Sequence, residues 1–261
     1  PEIRLGHSVP RRLLTMPGEG ARNGGADNVE GNLVCRVYDE IVPERSHSAQ
    51  PVKYVVLDMV GQGTFGQVFH CQQIYTGGSS TMEEKREACG SGVGKSSPRS
   101  GGGGSRENPF PGFRSEVAVK VVKNKPAYTA QAWVEVRVVK RLNDDFNGTD
   151  AHHMVRMLDF FEFKGHLCLV FELLSINLYE VLKKTQFRGL PLALVSILSS
   201  QMLDALDTMT HAGIIHCDLK PENLLMTPAT AAEVGRTWDV ITWFKSRQPL
   251  WNAALEGGKQ A

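Results

Sequence analysis

A chain of 261 residues, 41% hydrophobic and 22% charged, is long enough to bury a sizeable core as one large domain or two small ones. Its formal net charge of +1 provides no basic field for nucleic acid or for an anionic membrane, so neither is expected as a partner. The five cysteines (Cys35, Cys71, Cys89, Cys168 and Cys217) are scattered and odd in number, which argues against a disulfide scaffold or a structural zinc site and for a reducing compartment, cytosol or nucleus.

Pro1–Leu14 is basic and lacks a long apolar run, unlike a signal peptide, and Pro1 in place of Met reads as the start of a fragment or of a gene model that begins mid-exon. Residues 1–50 read as an N-terminal extension. Its polar, Gly/Arg-rich stretch to Gly25 is expected to be disordered, and Leu33, Val34, Val37, Ile41 and Val42 suggest one or two short strands. Tyr54–Met59 and Gln67–Gln73 have strand composition and flank a glycine loop. Gly77–Ser115 is rich in Gly, Ser, Arg and Glu, shows no strand or helix period, and reads as a flexible insertion. Glu116–Val122 resumes as a strand. Tyr128–Asn143 carries enough valine for a strand, but its length and its Val134/Val138/Leu142 spacing predict a helix. Met154–Phe163 and His166–Leu173 are strands joined by a Lys164-Gly165 turn. Asn177–Thr185 and Leu192–His211 are helices. The second should bury Val195, Leu198, Met202, Leu206 and Met209 and end at Gly213. No stretch reaches the length of a membrane span.

Three segments carry chemistry. Gly61-Gln62-Gly63-Thr64-Phe65-Gly66-Gln67-Val68 lies between two strands, a setting that disfavours a dinucleotide crossover and suits a backbone flap over phosphates. Val117-Ala118-Val119-Lys120 puts a lysine on the next strand, with Glu135 as the helix carboxylate that could hold it. The bland alternatives are a strand-end lysine and a solvated glutamate. His216-Cys217-Asp218-Leu219-Lys220-Pro221-Glu222-Asn223 is the most specific of the three. Asp218 can take a hydroxyl proton, Lys220 can offset phosphoryl charge, and Asn223 can hold a metal from the same loop. His152, His153 and His166 lack a carboxylate or cysteine at ligand spacing and read as surface or strand-edge residues.

In this order the segments are those of a protein kinase. The chain resembles the dual-specificity tyrosine-regulated kinase family, most closely its Yak branch, from about Gly25 to Leu225. The resemblance rests on the filler residues of the glycine loop, Val121–Tyr128, His166–Ser175, Asn177–Glu180, Gln186–Leu190 and the cysteine of His216-Cys217-Asp218, where most kinases have arginine. Ala26-Asp27-Asn28 with Asp39–Val42 is similar to the segment that precedes the family's kinase domain. The resemblance implies an α+β, two-lobe fold: a complete β-rich N-lobe and hinge over 54–174, then the first part of a helical C-lobe over 175–225. It implies ATP and Mg²⁺ as cofactors and protein substrates as partners. Gly61, Gly63, Gly66 and Val68 would cover ATP, Ala118 and Lys120 would line its pocket, and Glu135 would pair with Lys120. Phe171 would guard the back of the pocket, Glu172 to Leu174 would bond the adenine through backbone, and Leu225 would complete the nucleotide set. Asp218 would be the catalytic base and Asn223 the metal ligand. Nothing in the sequence sets an oligomeric state.

The pattern breaks after Leu225. Residues 226–261 contain no Asp-Phe-Gly, no activation-segment tyrosine and a single aspartate, Asp239, while holding three of the four tryptophans. A replacement amphipathic helix is one reading of this tail. Translated intron or a shifted frame is the preferred one. An inactive, pseudokinase-like nucleotide-binding or interaction protein therefore stands as the alternative to a serine/threonine kinase. The Leu192–His211 stripe is expected to lack the helices that bury it in the family, forfeiting about 1.5–3 kcal/mol per exposed large apolar residue.

Overall fold

The computed structural model describes residues 11–46, 51–76, 114–145, 153–227 and 240–242. Two short strands, β1 (Glu40–Ile41) and β2 (Arg45–Ser46), precede the hairpin β3 (Val52–Gln62) and β4 (Gly66–Tyr75). Then come β5 (Arg114–Val122), helix α1 (Pro126–Asp145), and the hairpin β6 (Met157–Phe163) and β7 (His166–Glu172). These strands form one antiparallel sheet in the order β1-β3-β4-β5-β7-β6-β2. Lys164 and Gly165 join β6 to β7 with φ of 48° and 77°, a turn whose twist matches that of the strands. The second part of the chain holds α2 (Leu178–Lys184), α3 (Leu192–His211) and the pair β8 (Leu224–Met226) and β9 (Val240–Thr242). This is a two-lobe kinase fold with a partial C-lobe. No helix among the described residues is long and apolar enough to cross a membrane.

The period of two along the strands divides the core. Ala118 and Val122 of β5, Leu167, Leu169 and Phe171 of β7, and Val68 of β4 face α1, whose Ala132, Val136, Val139 and Leu142 pack against them. The alternate residues Val117, Val119, Val121, Cys168, Val170, Phe69 and Cys71 face the other way. That outer face is covered by the chain before β1. Leu14, Leu33, Cys35 and Ile41 are buried there, and Leu14 N–H donates to the Cys35 carbonyl at 2.9 Å. Residues 11–25 are thus folded onto the sheet, contrary to the expectation of disorder through Gly25; residues 1–10 lie outside the described part. A sheet buried on one side still exposes apolar residues on the other, and this segment hides them. The insertion expected over Gly77–Ser115 also lies outside the described residues, except that Arg114 and Ser115 already belong to β5 and pair with Ile74 and Gln73.

Helix α3 keeps its predicted ends, with Gly213 at φ 69° just past them. Its buried side is rotated from the predicted stripe. Leu198 and Met209 are buried as expected, Met202 and Leu206 are half-buried, and Val195 is exposed, while Leu194 and Ala205 take inward positions. The cause is that α3 serves two clusters. Its first turns pack on Leu178, Val181, Leu224 and Met226, and its last turns join the α1 side of the sheet through Ala205 and Met209. Leu192 and Leu203, 84% and 62% accessible, stand out on its free side.

Candidate active site

Lys120 sits on the α1 side of β5 because it is two residues from both Ala118 and Val122. Glu135 occupies the inward stripe of α1, between Ala132 and Val139. The Lys120 ammonium lies 2.6 Å from each carboxylate oxygen of Glu135, with side-chain exposures of 9% and 3%. The bland readings of both residues, a strand-end lysine and a solvated glutamate, are therefore corrected: the pair is desolvated. Their attraction is strong in such surroundings, and each charge would be costly to bury alone.

The flap is the β3–β4 connection. Gly63 N–H donates to the Gly66 carbonyl at 2.8 Å, and Lys123 N–H donates to the Phe65 carbonyl at 2.9 Å. Phe65 meets Tyr128 of α1 edge-on, with centroids 5.5 Å apart. The three glycines differ. A Cβ on Gly61 or Gly63 would meet open space, whereas one on Gly66 would run into the Val121 carbonyl of β5. Gly66 is therefore needed for close backbone packing, whereas Gly61 and Gly63 border open space. We expect Gly66→Ala to cost about 1–3 kcal/mol in denaturant unfolding. Gly61→Ala and Gly63→Ala should stay within about 0.5 kcal/mol and act on nucleotide affinity instead.

Val68, Ala118, Phe171, Leu173, Leu174 and Leu225 belong to one apolar cluster, so apolar side chains from the sheet and from β8 meet there. The segment after β7 is tied to β8: Ser175 N–H donates to Met226 O at 2.8 Å, and Met226 N–H donates to Ile176 O at 3.0 Å. Asn177 caps α2 by accepting from Glu180 N–H at 2.8 Å and bridges to Leu225. Glu172 N–H is already given to the Arg156 carbonyl at 3.1 Å, and its carboxylate accepts from Arg156 N–H at 2.7 Å. Its side chain therefore holds β6 against β7, and only its carbonyl and the next two residues could meet a base.

The catalytic loop is held by its own side chains. Lys220 Nζ donates to Asp218 Oδ1 at 2.9 Å, and Asn223 Nδ2 donates to Asp218 Oδ2 at 3.1 Å and to the Asp218 carbonyl at 2.7 Å. Asp218 N–H reaches the His216 carbonyl at 2.9 Å and its Nδ1 at 3.2 Å, with Cys217 forced to φ 62° at the tight turn between them. Asn223 is fully buried, and its Oδ1 has no hydrogen-bond partner among the described residues. A buried amide oxygen left open beside a carboxylate suits a hard cation such as Mg²⁺. Among the described residues no three His, Cys, Asp or Glu side chains gather into a metal cage.

The thiols separate by setting. Burial pushes Cys35 up to about 12 and raises Cys71 and Cys168 well above the usual thiol range, while Cys217 is exposed in the catalytic loop. Native alkylation mapped by mass spectrometry should label Cys217 and leave Cys35, Cys71 and Cys168 unmodified until the chain is unfolded.

Sequence reasoning missed a layer of polar residues behind the site. His166, expected at a surface or strand edge without a carboxylate, is buried. Its Nε2 lies 2.8 Å from Asp27 Oδ1, and its Nδ1 lies 2.7 Å from the Val122 carbonyl. Asn124 Nδ2 donates to the other Asp27 oxygen at 2.9 Å. Asp27 is 139 positions from His166, beyond any local pattern.

Residues 112–234 match the protein kinase domain. The chain is 41% identical over 217 residues to serine/threonine-protein kinase ppk15 of Schizosaccharomyces pombe, covering 83% of this chain and 33% of that protein. It is 38% identical over the same share to dual specificity protein kinase YAK1 of Saccharomyces cerevisiae, covering 22% of that protein. It is 39% identical over 85% of its length to the YAK1 homolog of Arabidopsis thaliana, covering 19% of that protein. The chain thus spans a third or less of the length of these relatives. With the paired lysine and glutamate, the glycine flap and the His-Cys-Asp loop in one fold, it belongs to the protein kinase family, in the Yak-like, dual-specificity tyrosine-regulated branch.

Proposed function

We propose that the chain binds ATP with Mg²⁺ between Val68 and Ala118 on one side and Leu225 on the other, and that its domain is built to transfer the γ-phosphoryl group to serine and threonine hydroxyls of proteins. The observation that carries this reading is the buried Lys120–Glu135 pair beneath the flap, 2.6 Å between charges. A triphosphate needs a fixed, poorly solvated cation, and Glu135 holds one in place. Phe171 closes the back of the pocket, and the Glu172 carbonyl and Leu174 backbone meet the adenine edge. Asn223 Oδ1 would hold Mg²⁺, and the ion would supply positive charge to the phosphates. Asp218 takes the proton of the substrate hydroxyl as its oxygen bonds to phosphorus and ADP leaves with the electrons of the broken P–O bond. Lys220 offsets charge on the moving group. The cytosol or nucleus suits four free thiols at Cys35, Cys71, Cys168 and Cys217.

A second reading is favoured by one feature of the sequence. Residues 226–261 contain no Asp-Phe-Gly, so this chain binds nucleotide without efficient turnover. Both readings require binding. Titration with a fluorescent ATP analogue should show saturable, Mg²⁺-dependent binding that Lys120→Ala abolishes. A wild-type chain that binds no nucleotide overturns both.

A further inference from the structure

We infer that residues 11–39 are a working part of the nucleotide flap, and that Thr15 is the positioning residue that sets its base. The inference rests on the nucleotide reading above but stands on separate geometry. Gln62 and Gln67 face each other as the last β3–β4 pair before the flap. Strand alternation turns Val68 into the pocket and Gln67 to the outer face, where the N-terminal segment lies. There Gln67, fully buried, donates from Nε2 to Thr15 Oγ1 at 2.8 Å. The same hydroxyl accepts from Cys35 N–H at 3.0 Å and donates to the Leu33 carbonyl at 2.7 Å. All of its hydrogen-bonding capacity is used, so its position is over-determined. Gln62 donates from Nε2 to the Met16 carbonyl at 2.6 Å, which anchors the opposite strand of the pair to the next residue of the same segment.

A second hold acts on the flap tip. Asn124 N–H donates to the Gly31 carbonyl at 2.8 Å, and its side chain donates to Asp27 at 2.9 Å. The neighbouring Lys123 N–H is the group that holds the Phe65 carbonyl, and Phe65 rests on Tyr128 of the helix that carries Glu135. One segment therefore grips the flap at its base and, through Asn124, beside its tip. A flap that must lie over phosphates at a fixed height loses affinity when either grip slackens.

The test uses the full chain. Thr15→Val keeps the shape and removes the hydroxyl, and Thr15→Ser restores it. Gln62→Ala removes an exposed side chain and threatens folding least. Leu178→Ala destabilises the chain away from the flap. Hydrogen exchange over residues 61–67 is read without nucleotide, and affinity for the fluorescent ATP analogue is read with Mg²⁺. Thr15→Val should speed exchange of the flap and weaken affinity about three- to tenfold. Gln62→Ala should act in the same direction by less, and Thr15→Ser should restore both readings. Unchanged flap exchange in Thr15→Val and Gln62→Ala overturns the inference, as does an equal rise in Leu178→Ala. If the wild-type chain binds no nucleotide, the proposed function falls, and flap exchange alone still decides the role of the segment.

Discussion

Glu135→Ala is expected to destabilise the chain by about 3–5 kcal/mol, because it leaves the Lys120 ammonium buried without a counter-charge. In a thermal melt this corresponds to a loss of roughly 6–20 °C for a domain of this size. Lys120→Ala should cost a similar amount, by stranding the carboxylate instead. The informative variant is the double one. Lys120→Met with Glu135→Leu replaces two charges by apolar groups of like volume, among Ala118, Val136 and Val139, and should regain most or all of the lost stability. It should nevertheless fail to bind nucleotide. Recovery of folding without recovery of binding would separate the structural value of the pair from its functional one. A melt unchanged by Glu135→Ala would mean that the two groups are solvated, and the reading of the site would go with it.

Phosphoryl transfer from ATP to a serine/threonine peptide should be no greater for the 261-residue chain than for its Lys120→Ala control. The reason is a shortage of fixed charge. Asn223 supplies one buried amide oxygen, and the sequence holds no Asp-Phe-Gly to supply a carboxylate across the phosphates. Losing one oriented electrostatic group costs about a hundred- to a thousandfold in rate, and a missing metal ligand at least that. Radiolabelled phosphate incorporation measures the difference. Clear incorporation that depends on Lys120 would show that another group takes the missing role.

Much of the site is legible along the chain because kinase chemistry is concentrated in short segments. Lys120 is marked by its strand, Glu135 by its place near the middle of the predicted helix fifteen positions on, and Asp218, Lys220 and Asn223 by one loop whose bonds span five residues or fewer. The α3 stripe was legible only in part. Periodicity says that one face is buried, but α3 meets two clusters in succession, and Leu194 and Ala205 displace Val195 from the inside. The segment before β1 carries the least local signal: Gly and Arg are its commonest residues, and its burial depends on an outer sheet face that does not exist until the strands have paired.

By itself the amino-acid sequence determined the family, most of the strands and helices in their order, and the residues that meet as the Lys120–Glu135 pair and in the Asp218 loop, since each depends on spacing within a turn, a strand or a loop. The tertiary structure decided what lies behind them. Thr15 meets Gln67 across 52 positions, and Asp27 meets His166 across 139. Such bonds are set by how a twisted sheet closes against its covering chain, and alternation along a strand names a buried face without naming what will cover it.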